Sequence, residues 1–387
     1  MIILFLAAAA LNAQDITGSW EGALEIQHSR LQVVFHIGKN DSTLTTTIDS
    51  PDQGAFGLPV TRSSFRDNKL EIVATGLGLF YQGRLENDSI TGTFSQGGIS
   101  FPLTLKRSEK PLFQRPQTPE GPLPYLSEEV IIPLSDESLS LSGTLTLPDS
   151  IGAFPAVVLI AGSGPNDRDE TLFGHKPFLV ISDYLTRNGF AVLRYDKRGV
   201  GKSTGNYDKS TLHDFAEDAR MAVQYLKHRK EIDTTKIGLI GHSEGGIIAA
   251  MVASEEVEGI RMTVLMATPG ISGIEVVMDQ NEVSMKQQGM EPETIEKLQM
   301  LNREMFESLL TWDGSENDRT ALRDKLQLIW EQLPLLLKMK IKKEPFLRSQ
   351  FNELIKPGYR SFLAVDPAVY LEKVSCDVLA INGENDL

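Results

Sequence analysis

The sequence lacks several features that would assign it to a class at once. It has one cysteine, Cys376, so no disulfide can form within the chain. Its most apolar run, residues 2–11, is shorter than the roughly 20 residues that a membrane helix needs. It has no excess of positive charge: 38 Lys and Arg against 52 Asp and Glu give a net charge of −14. Such a field repels polyanions, so nucleic-acid binding is disfavoured.

What is present describes an ordinary globular chain. Hydrophobic residues make up 41% and charged residues 23% of the 387 positions, and this length suits two or three domains. Residues 1–13 have the apolar core of a signal peptide and end in the small-residue site Leu11-Asn12-Ala13. We therefore expect export to the periplasm or the medium.

Residues 15–107 predict a small all-β domain. Apolar and polar residues alternate in runs such as residues 31–37 and 99–105, which is the period of half-buried strands. No catalytic constellation is evident there, and His36 is interpreted as a structural histidine. Five prolines between residues 111 and 124 predict a linker over residues 108–128, because proline cannot donate to a β-ladder.

Residues 129–387 predict an α/β domain with a mostly parallel sheet, because strand-like and helix-like runs alternate there. Residues 272–365 interrupt that rhythm with helical periodicity. They are expected to form an inserted helical cap over the active site, with its methionines lining an apolar pocket. The run at residues 374–381 is interpreted as a buried strand in which Cys376 is a small core residue.

The pentapeptide Gly241-His242-Ser243-Glu244-Gly245 carries the strongest chemical signal. It directly follows a predicted strand and directly precedes a predicted helix, which is the context of a nucleophile elbow. The turn is so tight that the neighbours of the serine must be small, as Gly241 and Gly245 are. We expect the Ser243 hydroxyl to be exposed as nucleophile and the Glu244 amide to face a developing oxyanion.

A second backbone donor is expected in the segment Ala161-Gly162-Ser163-Gly164-Pro165. This segment follows an apolar strand that ends at Ile160, at the loop position from which an oxyanion hole takes its second N–H. We predict the Ser163 amide as that donor, with Gly164 beside it. Glycines there let the backbone approach a substrate closely.

Four segments together resemble the α/β-hydrolase superfamily, in particular bacterial secreted serine esterases and serine aminopeptidase-like hydrolases. They are residues 161–169, residues 195–203, the pentapeptide at 241–245 and Asn382-Gly383-Glu384-Asn385-Asp386. The resemblance covers about two thirds of the chain, from residue 129 onward. It implies a triad in the order Ser, acid, His, with Asp386 as the acid that orients the histidine.

The resemblance also implies a histidine after the acid, on a loop that follows one more strand. The sequence ends one residue after Asp386. We therefore expect a C-terminally truncated chain whose sheet is incomplete and whose Ser243 lacks its base. His242 is expected to pack behind its strand or to support the elbow. The remaining histidines of this domain lie in a loop or a helix, and the first is the one conceivable substitute: His175, His213 and His228.

The run Asp196-Lys-Arg-Gly-Val-Gly-Lys-Ser203 resembles a phosphate loop, but that loop requires glycine where Asp196 stands. We expect Asp196 and Arg198 to brace neighbouring turns instead. The sequence thus predicts a serine hydrolase for a small-molecule carboxylic ester, with no metal or organic cofactor. A peptidase or amidase on the same scaffold, and a non-catalytic binding protein, remain as alternatives.

Overall fold

The computed structural model describes residues 15–384 and residue 386, except 27–28, 41–42, 54, 97–98, 109–115, 173–174 and 256. The predicted signal segment and part of the predicted linker lie outside the described residues. The chain forms two compact units, one ending at Pro116 and the other beginning at Gln117. Among the described residues, no helix combines the length and apolarity that crossing a bilayer would require.

The first unit is a nine-stranded antiparallel sheet in the order β4-β3-β2-β1-β9-β8-β7-β6-β5. Buried and exposed side chains alternate along strands such as β7, as the period-two pattern predicts. The buried side chains, among them Trp20, Phe35 and Tyr81, form one apolar core. The strands are β1 Gly18–Ile26, β2 Ser29–Asn40, β3 Thr43–Ser50, β4 Ala55–Pro59, β5 Arg62–Arg66, β6 Lys69–Ala74, β7 Leu79–Glu86, β8 Ser89–Gln96 and β9 Ile99–Ser108.

His36, interpreted above as structural, bridges two partners on neighbouring strands of this sheet. Its Nδ1 lies 2.8 Å from Ser19 Oγ, and its Nε2 lies 2.7 Å from Asp49 Oδ2. Asp49 also accepts the Gly57 N–H. The sequence analysis did not detect this carboxylate partner, because residues 36 and 49 meet only through strand pairing.

The second unit contains a seven-stranded mixed sheet in the order β10-β11-β13-β12-β14-β15-β16. An antiparallel hairpin begins it, and the strands from β13 to β16 run parallel. The apolar runs predicted as strands pair as expected for a sheet covered on both faces. The strands are β10 Leu126–Pro133, β11 Ser140–Leu147, β12 Phe154–Ile160, β13 Ala191–Tyr195, β14 Ile232–His242, β15 Ile260–Met266 and β16 Asp377–Ile381.

In the part of the chain that the structure describes, three helices alternate with these strands, and six more follow β15 before a last short one leads into β16. The six, α4 to α9, bury an apolar core of their own that includes Leu298, Met305 and Leu326. The helices are α1 Pro177–Arg187, α2 Leu212–Lys227, α3 Glu244–Ala253, α4 Gly273–Gln287, α5 Pro292–Leu310, α6 Glu316–Gln332, α7 Leu335–Lys340, α8 Lys343–Leu354, α9 Pro357–Ala364 and α10 Ala368–Leu371.

The interpretation of residues 374–381 as a buried strand is wrong in one respect. The strand forms as β16, but all five of its residues are exposed and Cys376 is only half-buried. The reason is its position: within the described residues β16 is the edge strand and pairs with β15 alone. An apolar run in the sequence predicts a strand, whereas the burial of its side chains depends on which strands and helices lie next to it.

We predict that Ile72→Ala lowers the free energy of unfolding of the first unit by about 2–5 kcal/mol, because the Ile72 side chain is fully buried in its core. Ile99→Ala is the matched control, since Ile99 is 61% exposed on the same sheet. Urea denaturation of the two variants measures the difference. Equal losses would contradict the assigned core.

Candidate active site

The carboxyl ends of the parallel strands bring the predicted site segments to one edge of the sheet. The segment at 161–165 follows β12, the loop at 196–211 follows β13, and Ser243 follows β14. Asp386 follows the edge strand β16 after a short turn. Parallel strands end at the same edge, so residues up to 225 positions apart in the sequence meet there.

Ser243 forms a sharp turn between β14 and α3. Its backbone has φ 53° and ψ −120°, a conformation that costs about 1–3 kcal/mol for a residue with a side chain. Two hydrogen bonds hold the turn: the Ser243 N–H donates to Met266 O at 2.8 Å, and its carbonyl accepts the Gly246 N–H at 2.9 Å. This backbone turns the side chain away from both the strand and the helix.

The glycines of the elbow are required by close backbone packing. A Cβ at Gly241 would collide with the carbonyl of Gly245, and a Cβ at Gly245 would collide with the carbonyl of Ile160. A Cβ at Gly246 would strike the Thr268 side chain. Helix α3 therefore lies against the ends of β12 and β14 at a distance that only glycine permits.

Ser243 lies in the wall of a cavity of about 1150 Å³. Every other predicted site residue except the two elbow glycines also lines this cavity: Ser163, Gly164, His242, Glu244 and Asp386. Among the described residues, no side chain makes a hydrogen bond to the Ser243 hydroxyl, and that side chain is only half-buried. The hydroxyl is thus available to a molecule that enters the cavity.

Glu170 joins the elbow to the 161–165 segment. Its Oε1 accepts the Gly162 N–H at 2.6 Å and the Nδ1 proton of His242 at 2.8 Å. Glu170 is buried and has φ 51°. The hydrogen bond to Glu170 raises the pKa of His242, against the effect of burial, and the charge of Asp386 acts in the same direction as Glu170.

Lys197 makes a second link between the same two segments. Its ammonium donates to the carbonyl of Gly162 at 2.5 Å and to Glu244 Oε1 at 3.0 Å. The other carboxylate oxygen of Glu244 accepts the Ser163 hydroxyl at 3.3 Å. The Lys197 and Glu244 side chains are only 4% and 9% exposed, so water screens this pair little. The backbone at Gly162 and Ser163 is thereby held beside the beginning of α3.

The amides of the 161–165 segment differ in what they bind. The Gly164 N–H donates to the Tyr207 hydroxyl oxygen at 3.0 Å, so it is not a free donor. No described residue accepts a hydrogen bond from the Ser163 amide. The Glu244 amide is at the first position of α3, where a helix supplies no acceptor for it. Among the described residues, the Ser163 and Glu244 amides therefore both lack an acceptor.

Asp386 is exposed at the cavity wall, and its backbone N–H donates to the carbonyl of Gly383. Of the five described histidines, only His242 lines the cavity, and its ring is bonded to Glu170. It therefore faces the cavity and does not pack behind β14. His175, the conceivable substitute base, lies outside the cavity, and its buried Nδ1 has no hydrogen-bond partner among the described residues.

The expectation that methionines line the pocket is wrong. Among the described residues, the helical segment contributes Val276, Val277, Tyr359 and Phe362 to the cavity wall, but no methionine. Met278, Met285 and Met305 are buried in the core of the helical segment instead. Methionine side chains are flexible and can fill gaps in any apolar core. Here they fill the core between the helices and do not face the cavity.

The loop at 196–211 holds residues that sequence reasoning missed. Asp196 and Arg198 brace turns, as predicted: Asp196 binds the Arg168 guanidinium through two oxygens, and Arg198 bonds to Asp218. In the same loop, the Lys197 ammonium donates to Glu244 of the elbow, and the Tyr207 hydroxyl accepts the N–H of Gly164 in the 161–165 segment. The phosphate-loop comparison drew attention to this loop, but no local pattern indicated where the two side chains point.

We predict that Gly245→Ala prevents normal folding of the second unit or lowers its melting temperature sharply, because the added methyl group would collide with the carbonyl of Ile160. Gly270→Ala is the matched control, since no atom lies within 4 Å of its added Cβ. Soluble yield and thermal denaturation measure both variants. A Gly245→Ala protein as stable as Gly270→Ala would contradict the described packing of α3.

We predict a pH-dependent stability difference between the wild type and Glu170→Gln, which keeps an acceptor for the Gly162 N–H. Because the folded state raises the pKa of His242, the charged pair stabilises fully below about pH 6.5, the ordinary value, and this gain declines as pH rises through the raised pKa. The difference in melting temperature should thus be larger near pH 6 than near pH 9.

A His242→Asn background is the control for this experiment. There, Glu170→Gln should change the melting temperature equally at both pH values. A difference that grows with pH in the presence of His242 would contradict the ion pair.

Residues 178–312 match the family model described as serine aminopeptidase, S33. Esterase EstD of Thermotoga maritima is 29% identical over 308 residues, which cover 78% of this chain and 71% of EstD. The protein YfhR of Escherichia coli O157:H7 is 29% identical over 153 residues, 38% of this chain and 49% of YfhR.

Among solved structures, an esterase of Pyrococcus furiosus is 18% identical, with coverage of 66% of this chain and 70% of that one and a TM-score of 0.42. The family-model match spans the segments at residues 195–203 and 241–245. The chain is thus similar to the α/β hydrolases, and within that superfamily to the serine aminopeptidase-like family and to esterases.

Proposed function

We propose that this protein is a serine hydrolase that cleaves carboxylic esters through an acyl-enzyme on Ser243. One observation carries the proposal: the strained turn at Ser243 presents an unengaged hydroxyl to a large cavity beside unengaged backbone amides. Strained backbone at a cavity is typical of functional sites, since packing elsewhere must maintain it.

The oxyanion donors follow from the same arrangement. When Ser243 attacks an ester carbonyl, the carbonyl oxygen becomes negatively charged. We assign the Glu244 and Ser163 amides to donate hydrogen bonds to this oxyanion. The positive end of the α3 dipole adds to this field, because Glu244 is its first residue. The bonds from Lys197 and Glu170 to Gly162 keep the Ser163 amide in place before the substrate arrives.

The base is the part of the machinery that the five described histidines do not supply. We propose, from the resemblance, that a histidine encoded after residue 387 takes the Ser243 proton and that Asp386 orients its ring. The exposed position of Asp386 at the cavity wall supports this role. The histidine then gives this proton to the leaving alcohol as the ester C–O bond breaks and the acyl-enzyme forms. Water attacks the acyl-enzyme, with the same histidine as base, and the acid is released as the Ser243 hydroxyl is restored.

The proposal of an ester substrate rests on the relatives. EstD carries the name esterase, whereas the matching family model carries the name serine aminopeptidase, and the latter supports a peptidase as the second candidate. Chromogenic esters and anilides that share one acyl group distinguish the two. For each substrate, the rate with the protein is divided by the rate of uncatalysed hydrolysis. A larger rate enhancement for the ester supports the proposal, and a larger enhancement for the anilide supports the peptidase.

We predict that Ser243→Ala in the protein expressed from the whole reading frame lowers kcat for p-nitrophenyl acetate by about 10⁵- to 10⁶-fold or to the background, as loss of a serine nucleophile does. Ser254→Ala is the matched control: it removes a hydroxyl bonded to Met251 O at the other end of α3, outside the cavity. Undiminished activity of Ser243→Ala would move the site elsewhere.

We also predict that the protein ending at residue 387 has no more than background esterase activity, and that the product of the whole reading frame is active. The serine alone is a weak nucleophile without its base. Substituting the histidine proposed downstream with alanine should abolish activity again. A whole reading frame without such a histidine, and without activity, would instead favour the non-catalytic binding protein.

A further inference from the structure

Tyr207 is a cavity residue that neither the sequence motifs nor the oxyanion assignment uses. It begins a single 3₁₀ turn, Tyr207–Lys209, in the loop between β13 and α2. Gly199 makes room for it: Gly199 has φ 76°, and a Cβ there would press on the Tyr207 backbone. The ring stacks on Phe215 of α2 with 5.6 Å between centroids and 21° between planes. The phenol thus has a fixed direction toward the cavity.

The Tyr207 hydroxyl accepts one hydrogen bond and still has its own proton to donate. Its oxygen accepts the Gly164 N–H at 3.0 Å, one residue from the Ser163 amide assigned to the oxyanion hole. No described residue accepts the Tyr207 proton, and the residue lines the same cavity as Ser243 and Glu244. Tyr207 is half-buried at the cavity wall, so its proton is available to a molecule that enters the cavity.

We propose that the Tyr207 hydroxyl donates a hydrogen bond to the acyl oxygen of the substrate as a third donor of the oxyanion hole, relaying the Gly164 N–H. This inference rests on the proposed function of Ser243. The proton remains on the phenol throughout: the oxyanion accepts a hydrogen bond while the ester carbonyl becomes tetrahedral, and the bond weakens again when the acyl-enzyme forms.

The surroundings of the phenol favour a donor role. Burial, and next the charge of Glu244, raise the pKa of Tyr207 to about 12, so the group keeps its proton at any physiological pH. Accepting the Gly164 N–H polarises the O–H bond, because hydrogen bonds in a chain strengthen one another. Lys197 lies 4.8 Å from the Phe215 ring centroid and 5.9 Å from that of Tyr207, while its ammonium pairs with Glu244.

The first test is Tyr207→Phe in the protein expressed from the whole reading frame. This substitution keeps the ring on Phe215 and removes only the hydroxyl. We expect kcat for p-nitrophenyl acetate to fall about 100-fold, the scale of one oxyanion donor, with little change in KM. Affinity for a trifluoromethyl ketone, which forms an oxyanion on the serine, should fall by a similar factor. Tyr125→Phe is the matched control, since it loses a hydroxyl bonded to Asp183 away from the cavity.

A second measurement separates the donor from a residue that only positions the 161–165 segment. Replacing Tyr207 with 3,5-difluorotyrosine lowers the pKa of the phenol, so it ionises within the measurable pH range. A donor loses its proton on ionisation, so kcat should fall on the alkaline side where the wild type shows no such fall. A phenolate accepts the Gly164 N–H better than a phenol does, so a purely positioning role predicts no alkaline loss.

The outcomes are distinct. Loss of activity in Ser243→Ala with unchanged kcat in Tyr207→Phe overturns the inference and leaves the proposed function standing. Reduced activity in Tyr207→Phe without an alkaline loss in the fluorinated protein also overturns it, because Tyr207 then only positions the loop. Full activity in Ser243→Ala overturns the proposed function itself.

Discussion

The close approach of α3 to the ends of β12 and β14 is the constraint on which the site depends. Carbonyl oxygens of Ile160 and Gly245 occupy the space where Cβ atoms of Gly245 and Gly241 would lie. Because the backbones are this near, the single residue between β14 and α3 must adopt a positive φ, and that residue is Ser243. The first amide of α3 then points into the same cavity as the serine side chain. Packing of the helix against the sheet thus determines the position of Ser243, the proposed nucleophile.

Hydrogen bonds of two buried charged side chains, Glu170 and Lys197, hold the 161–165 segment against this elbow. The 161–165 segment has few apolar side chains with which to pack, so polar groups fix its backbone. Glu170 binds the N–H of Gly162 and Lys197 binds its carbonyl, while each also binds a residue of the elbow. Each charged group has an opposite partner, which offsets the cost of removing it from water. The result is a wall whose donors are oriented before a substrate binds.

The cavity opposite this wall has a different origin. Helices α4 to α9 have a core of their own and contribute residues such as Tyr359 and Phe362 to the lining. Their methionines fill that internal core. The helices therefore shape this part of the cavity wall, whereas the elbow and its backbone amides are positioned by the sheet.

The sequence by itself determined the elements and their order. Apolar runs with turn signals predicted the strands, and periodicity predicted α2, α5 and α6. The glycine spacing around Ser243 identified the elbow, because a turn of that sharpness is encoded within five adjacent residues. Only the tertiary structure decided which side chains meet. Glu170, Lys197 and Tyr207 reach the site from loops whose local pattern carries no such signal. Within the described residues, β16 is exposed because it pairs with β15 alone. Local conformation is specified by neighbouring residues, whereas contacts across the sheet depend on the paths of chain segments far apart in the sequence.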